Sequence, residues 1–217
     1  MLLLSFFYAR SMRVYYIISA LCLQLGMLAA QPMSLLKMTR HIQILDNSQL
    51  YLQGKSNVNE FTCYCAQEFV PIQANFSLDD DQQIANFPNL KLNLYTQNLD
   101  CGNKRMNKDL QKTLQVDKHP FIEIDLEKVY LNSSNTPLNQ YWTHYLADTD
   151  LTIVGNTCAF KIPVMAKRVG EQTYQFKSFY EIRLSEFGIE APSALLGMIK
   201  VKDTFMIHFD LYVEVVQ

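Results

Sequence analysis

The chain has 217 residues, 49% of them hydrophobic and 18% charged, with a formal net charge of −2. That is long enough to bury a substantial core and short enough for a single domain. Acidic side chains outnumber basic ones, 21 to 19, and no strong basic stripe is visible along the chain, which argues against binding to nucleic acid or to an anionic membrane face by counterion release.

The first 30 residues stand apart. They carry Arg10 and Arg13, no acid, an apolar run over 14–28 and the small pair Ala29-Ala30. A basic start, an apolar middle and small residues at the cut are the order of a secretory signal, and the stretch from Met12 onward makes a compact signal by itself. A membrane anchor needs about 20 apolar residues, and this run falls short before the chain turns polar at Gln31. Cleavage after Ala30 is expected, which leaves 187 residues with a net charge of −4 in a periplasmic or secreted setting.

Cys22 lies in the discarded stretch, and Cys63, Cys65, Cys101 and Cys158 remain. An even count in an exported chain predicts two disulfides. Cys63 and Cys65 sit two apart on a strand-like run, so both thiols point to one face and bonding to each other would strain the backbone. Each is expected to reach Cys101 or Cys158, with the pairing open. A Cys-x-Cys metal or redox site is the alternative, but no histidine stands near it.

After an N-terminal segment over 31–47, the dominant period from Ser48 onward is two, in short segments separated by polar turns, which predicts antiparallel β structure. Leu50 and Leu52 alternate with polar neighbours, and Phe61, Cys63 and Cys65 share a face. Leu90, Leu92 and Leu94 follow, then Ile122, Ile124 and Leu126. Leu151 and Ile153 precede a bend at Gly155. Phe160, Ile162 and Val164 come next, followed by Tyr174, Phe176, Tyr180 and Ile182. The last strand is the longest, with Phe205, Ile207, Phe209, Leu211, Val213 and Val215 on one face and His208 opposite them. Long strands with one dry face close into a barrel or pack as a sandwich.

Two segments break this period. Met106, Leu110 and Leu114, at steps of four among Lys104, Arg105, Lys108 and Lys112, predict a short amphipathic helix over residues 103–115, lying across a barrel end. Residues 185–198 gather Phe187, Ile189, Leu195, Leu196 and Met198 around Gly188, Pro192 and Gly197, an irregular apolar loop expected to tuck inward. Residues 132–148 read as a polar surface excursion.

Little here resembles an active site. His41, His119, His144 and His208 show no metal-ligand spacing and pair with no nucleophile motif. Asp79-Asp80-Asp81 lacks the spaced oxygens and Gly-bearing turn of a calcium loop and reads as a solvated hairpin tip. Asn75 and Asn132 begin glycosylation sequons. What remains is the apolar interior, which side chains can fill or share with a ligand.

Three stretches carry a resemblance. The first is Leu99-Asp-Cys-Gly-Asn-Lys-Arg-Met-Asn-Lys-Asp-Leu110 with Lys118-His-Pro120 and Ile122-Glu-Ile124. The second is Leu151-Thr-Ile-Val-Gly155-Asn-Thr157 with Ile162-Pro163-Val164, and the third Ile182-Arg-Leu-Ser-Glu-Phe-Gly-Ile189 leading to the final strand. Over roughly residues 48–216 their order and spacing resemble the YceI-like family of lipocalin-fold, polyisoprenoid-binding periplasmic proteins.

The resemblance implies an all-β domain over 48–217: an extended eight-stranded antiparallel lipocalin-like barrel with a short helix near its mouth, holding a long-chain apolar lipid in its lumen without a cofactor. Parity along the strands nominates Leu92, Leu94, Ile124, Ile153, Phe160, Ile162, Phe176, Phe187, Leu196, Phe205, Ile207 and Phe209 as ligand contacts. Lys104, Arg105 and His119 are candidates for a headgroup. The rival readings are a fully packed barrel with an interaction surface, and an enzyme acting on a lumen-bound lipid.

Overall fold

The structure, a computed structural model, describes residues 37–79, 83–131, 138–194 and 198–216. Among the described residues the strands are β1 (Lys37–Ile44), β2 (Gln49–Ser56), β3 (Glu60–Cys65), β4 (Ile72–Leu78), β5 (Ile84–Tyr95), β6 (Leu99–Asp100), β7 (Phe121–Tyr130), β8 (Thr143–Ile153), β9 (Asn156–Arg168), β10 (Thr173–Arg183), β11 (Ser193–Ala194) and β12 (Ile199–Val216); the α-helix is α1 (Lys104–Thr113). Every pairing is antiparallel. The order β1, β4, β5, β7, β8, β9, β10, β12 returns to β1, so the sheet closes into a barrel of eight staves with no free edge around the ring.

The first two staves are broken strands. β2 continues the line of β1 along β12, with Ile44 opposite Val213 and Gln49 opposite Asp210. β3 pairs β2 while β4 pairs β1. Among the described residues the ring therefore takes in β1 from Lys37, so part of the segment ahead of Ser48, expected to lie outside it, supplies the stave that completes the ring.

Strand alternation becomes an interior face through these registers. Ile207 stands opposite Tyr180 on β10 and Leu52 on β2, while Phe205 stands opposite Ile182 and Gly54. Gly54 is there because nothing larger fits: a Cβ would lie 2.4 Å from Phe61 Cζ and 2.6 Å from Phe205 Cε1. Two bulges switch parity within a stave. On β5 the register shifts between Asn86 and Leu90, with Asn89 at φ 70°; Ala85 faces inward before the shift and Leu90, Leu92 and Leu94 after it. On β7 the shift falls between Leu126 and Lys128.

The helix forms as its spacing predicts. Asn103 caps it, its Oδ1 accepting from the backbone N–H groups of Arg105 (2.9 Å) and Met106 (3.1 Å). The loop after β10 tucks in over its first part only: a 3-10 turn, Leu184–Phe187, places Phe187 at 0% exposure and Ile189 at 7%, whereas Met198, expected to tuck inward with them, is 68% exposed, and Leu195 and Leu196 lie outside the described residues. Gly188 ends that turn at φ 68°, in the left-handed region where a residue without Cβ is least strained.

One large group of buried apolar side chains lies at the end of the barrel where α1 sits, while Leu50, Leu151, Ala147, Thr149, Ala166 and Ser178 are buried elsewhere in the wall. Leu94, Leu99, Leu114, Ile122, Ile153, Ile182, Leu184, Phe187, Ile189 and Phe205 lie between 0% and 9% exposed in one cluster. α1, the β8–β9 turn and the 3-10 turn meet there, so this end carries a plug built of ordinary core packing.

Candidate functional site

Further along the axis the interior is different. The inward side chains of Leu92, Ile124, Phe160, Ile162, Phe176, Ile207 and Phe209 are only half-buried. The closed wall stands on their outward side, and Leu92, Ile124, Phe160, Ile207 and Phe209 also pack against the buried cluster. Leu52, Leu90, Leu126 and Leu211 share that position and exposure.

The surface they offer is almost wholly apolar. Of the polar groups that face in, Ser178 Oγ donates to Pro163 O at 2.6 Å, beside the last register pair of β9 and β10, Met165 with Lys177. Tyr145 also faces inward, and burial pushes its phenol above the ordinary range, partly offset by a hydrogen bond with Thr143.

The predicted contacts thus divide into two groups. Seven, the inward side chains named first above, are half-buried. Leu94 (3%), Ile153 (3%), Phe187 (0%) and Phe205 (6%) belong to the plug, where neighbouring side chains already cover them. Leu196 lies outside the described residues.

At the plugged end a cleft of about 360 Å³ opens between α1, the turn joining β2 to β3, and the start of β12. Val58, Phe61, Met106, Leu110, Ile199 and Val201 give it an apolar lining, with Ser56, Asn59, Asn103, Arg105 and Asp109 around them. Phe205 lines the cleft and also faces into the barrel, with Phe61 edge-on to it at 6.0 Å. The three headgroup candidates do not converge. Arg105 lines the cleft and Lys104 is exposed beside it, whereas His119 lies under the β8–β9 turn, its Cε1 2.9 Å from where a Cβ on Gly155 would stand.

The cysteines correct the expectation of two disulfides. Cys63 bonds Cys101, tying β3 to the segment that leads into α1. Cys65 and Cys158 are unbonded. β2, β12 and β10 stand between their strands, so the two thiols are carried on different parts of the wall. Cys158 Sγ instead donates to Glu186 O at 3.3 Å, and burial pushes the Cys65 thiol above its ordinary range.

His208 faces outward, as its parity predicts, but it is not free in solvent. Its ring stacks on Tyr51 at 4.6 Å with a 9° interplanar angle, and Phe179 lies 6.2 Å away on the other side. Its Nε2 is buried without a hydrogen-bond partner, and burial holds the imidazole below its usual range. The expected acidic hairpin tip is described only at Asp79, whose Oδ1 accepts from the backbone N–H of Gln83 (2.6 Å) and Ile84 (2.9 Å). Asn75 is a paired β4 residue bonded to Thr39 Oγ1, and Asn132 lies outside the described residues.

A closed eight-stranded antiparallel barrel with an apolar inward face and a short helix at one end places the protein among the lipocalin-like barrels. Comparison with known proteins gives the family. Residues 47–213 match the YceI-like domain, and the chain belongs to that family. Among solved structures it is similar to Burkholderia cenocepacia BcnA, with 18% identity and a TM-score of 0.57 over 76% of this chain and 95% of that one. It is also similar to a polyisoprenoid binding domain from Saccharophagus degradans implicated in plant cell wall breakdown, with 10% identity and a TM-score of 0.56 over 84% and 100%. At these identities the likeness is one of fold. A comparison with proteins of curated function finds no match.

Proposed function

We propose that this chain is an exported carrier that sequesters a long apolar lipid, an isoprenoid or similar chain, along the axis of its barrel, and that it is a binding protein, not an enzyme. The observation that carries the reading is the half-buried state of the inward apolar side chains, Leu92, Ile124, Phe160, Ile162, Phe176, Ile207 and Phe209, behind a closed wall. The polyisoprenoid-binding neighbour of the same fold supports it.

Binding of this kind needs little polar recognition. Each methylene moved from water into the interior contributes about 0.8 kcal/mol, so a long chain gains affinity from length alone. The plug sets how far it penetrates, and Arg105 at the cleft is the polar group best placed for a headgroup that reaches that end. Export follows from the expected signal over residues 1–30; among the described residues no helix is long and apolar enough to cross a membrane.

The test is native mass spectrometry of protein purified from its host, before and after lipid extraction. The carrier reading expects an adduct with the mass of an apolar lipid, lost on extraction and regained on incubation with a long-chain isoprenoid. Protein that never carries or takes up such a ligand contradicts it.

A further inference from the structure

Cations that are far apart in sequence lie on the two elements that border the cleft, α1 and the start of β12, with Arg105 in its lining. α1 turns Met106, Leu110 and Leu114 toward the barrel; Lys104, Lys108 and Lys112 are exposed on its outer side, and Arg105, also exposed, lies at the cleft. Lys200 and Lys202, also exposed, flank the cleft from β12, where the Lys200 backbone N–H donates to Asn57 Oδ1 at 2.8 Å beside the β2–β3 turn. The acids nearby are mostly committed. Glu60 pairs with Lys55 at 2.6 Å, and Lys55 first, then Lys202, hold its carboxyl below the usual range. Asp203 accepts from Ser185, and Asp100 from Asn107 and Gly102. Asp109 is the acid left within the cleft lining.

Set among these cations are apolar side chains that the fold leaves uncovered. Val58, at the tip of the β2–β3 turn, is 63% exposed, and Met198, whose carbonyl accepts from Asn57 Nδ2 at 2.9 Å, is 68% exposed. Apolar tips ringed by Lys and Arg, on a chain whose overall charge is negative, make up the pattern of a surface that settles on an anionic bilayer: the tips enter the headgroup region while the cations meet lipid phosphates.

We propose that the cleft end of the barrel is a docking face for an anionic lipid bilayer, with Val58 and Met198 inserted and Lys104, Arg105, Lys108, Lys200 and Lys202 paired to lipid phosphates. The docked cleft opens toward the membrane, with Phe61 and Phe205 between it and the barrel interior. This goes beyond the carrier reading and is separable from it, since docking is measured without cargo.

The experiment is co-sedimentation of the host-processed, delipidated protein with vesicles of phosphatidylglycerol and phosphatidylcholine, compared with vesicles of phosphatidylcholine alone. Binding is expected to the first and not the second, and to fall as salt rises. Lys104→Gln and Lys200→Gln are each expected to weaken it about fivefold, the contribution of one basic residue near the surface. Val58→Asp with Met198→Asp weakens it further. Phe179→Asp, on the outer wall where Phe179 is 60% exposed, leaves it unchanged. All five substitutions are at exposed positions, and unchanged thermal melting confirms that the variants fold. Equal sedimentation with both vesicle types, sedimentation with neither, or loss caused by Phe179→Asp in place of the cleft variants overturns the proposal; sedimentation with neither leaves the face to a protein partner.

Discussion

Two phenylalanines on the same interior give opposite answers when truncated if the barrel is packed at one end and open in the middle. Phe187 is 0% exposed within the plug, 6.0 Å from the Phe160 ring and surrounded by Leu184, Ile189 and Ile182. Phe187→Ala loses the transfer energy of the ring and leaves a cavity that its neighbours cannot fill, a cost of about 3–5 kcal/mol. Phe176 lies inward on β10, opposite Leu211, and is half-buried. On the carrier reading its ring borders lumen space, so Phe176→Ala forfeits only the wall contacts and adds little new cavity, about 1–1.5 kcal/mol. For a domain of this size, about 2–4 °C of melting temperature per kcal/mol separates the two variants clearly. The assay is thermal or urea unfolding of delipidated protein, since bound lipid would stabilise whichever form it fits. Equal, large losses at both positions would refute the reasoning, because they would mean that the middle of the barrel is as filled as its end.

The remaining predictions concern the wall. Cys101→Ser opens the Cys63–Cys101 link, whose separation of 38 residues corresponds to about 4 kcal/mol of chain entropy; urea unfolding should show a loss of that order, while Cys158→Ser changes stability little. Gly54→Ala drives a methyl to within 2.4 Å of Phe61 Cζ and is expected to cost about 1–3 kcal/mol, read as a lowered urea midpoint. His208 has a folded-state pKa held below that of the unfolded chain by burial, so the unfolded state binds the extra proton. Its contribution is present above the unfolded pKa of about 6.5 and is lost as pH falls toward the folded value. His208→Phe, which keeps the stacking on Tyr51, should flatten the decline in stability over that acidic window in melts across pH.

The alternation along the last strand made the interior legible, because a dry face on a strand as long as β12 has only a barrel or sandwich to face. The capped helix at Lys104–Thr113 was legible from the spacing of Met106, Leu110 and Leu114. What was hidden has physical causes. The first stave, Lys37–Ile44, is short and its inward side includes Arg40 among Met38, Ile42 and Ile44, so its alternation is weak and only its pairing with β4 and β12 reveals it. The split between plug and open middle depends on how many neighbours cover each side chain: Leu92 and Leu94 share a face and a period, and differ only in what packs above them. The disulfide pairing was open because strand order, not spacing, decides which thiols meet. The basic end escaped notice because Lys104–Lys112 and Lys200–Lys202 are joined by the fold and not by sequence.

The most direct test is an experimental structure of the protein purified from its host. The account predicts elongated density running along the axis from the plug at Phe187, flanked by Ile124, Phe176, Ile207 and Phe209. Opposite walls touching across that space, side chain against side chain, would contradict it.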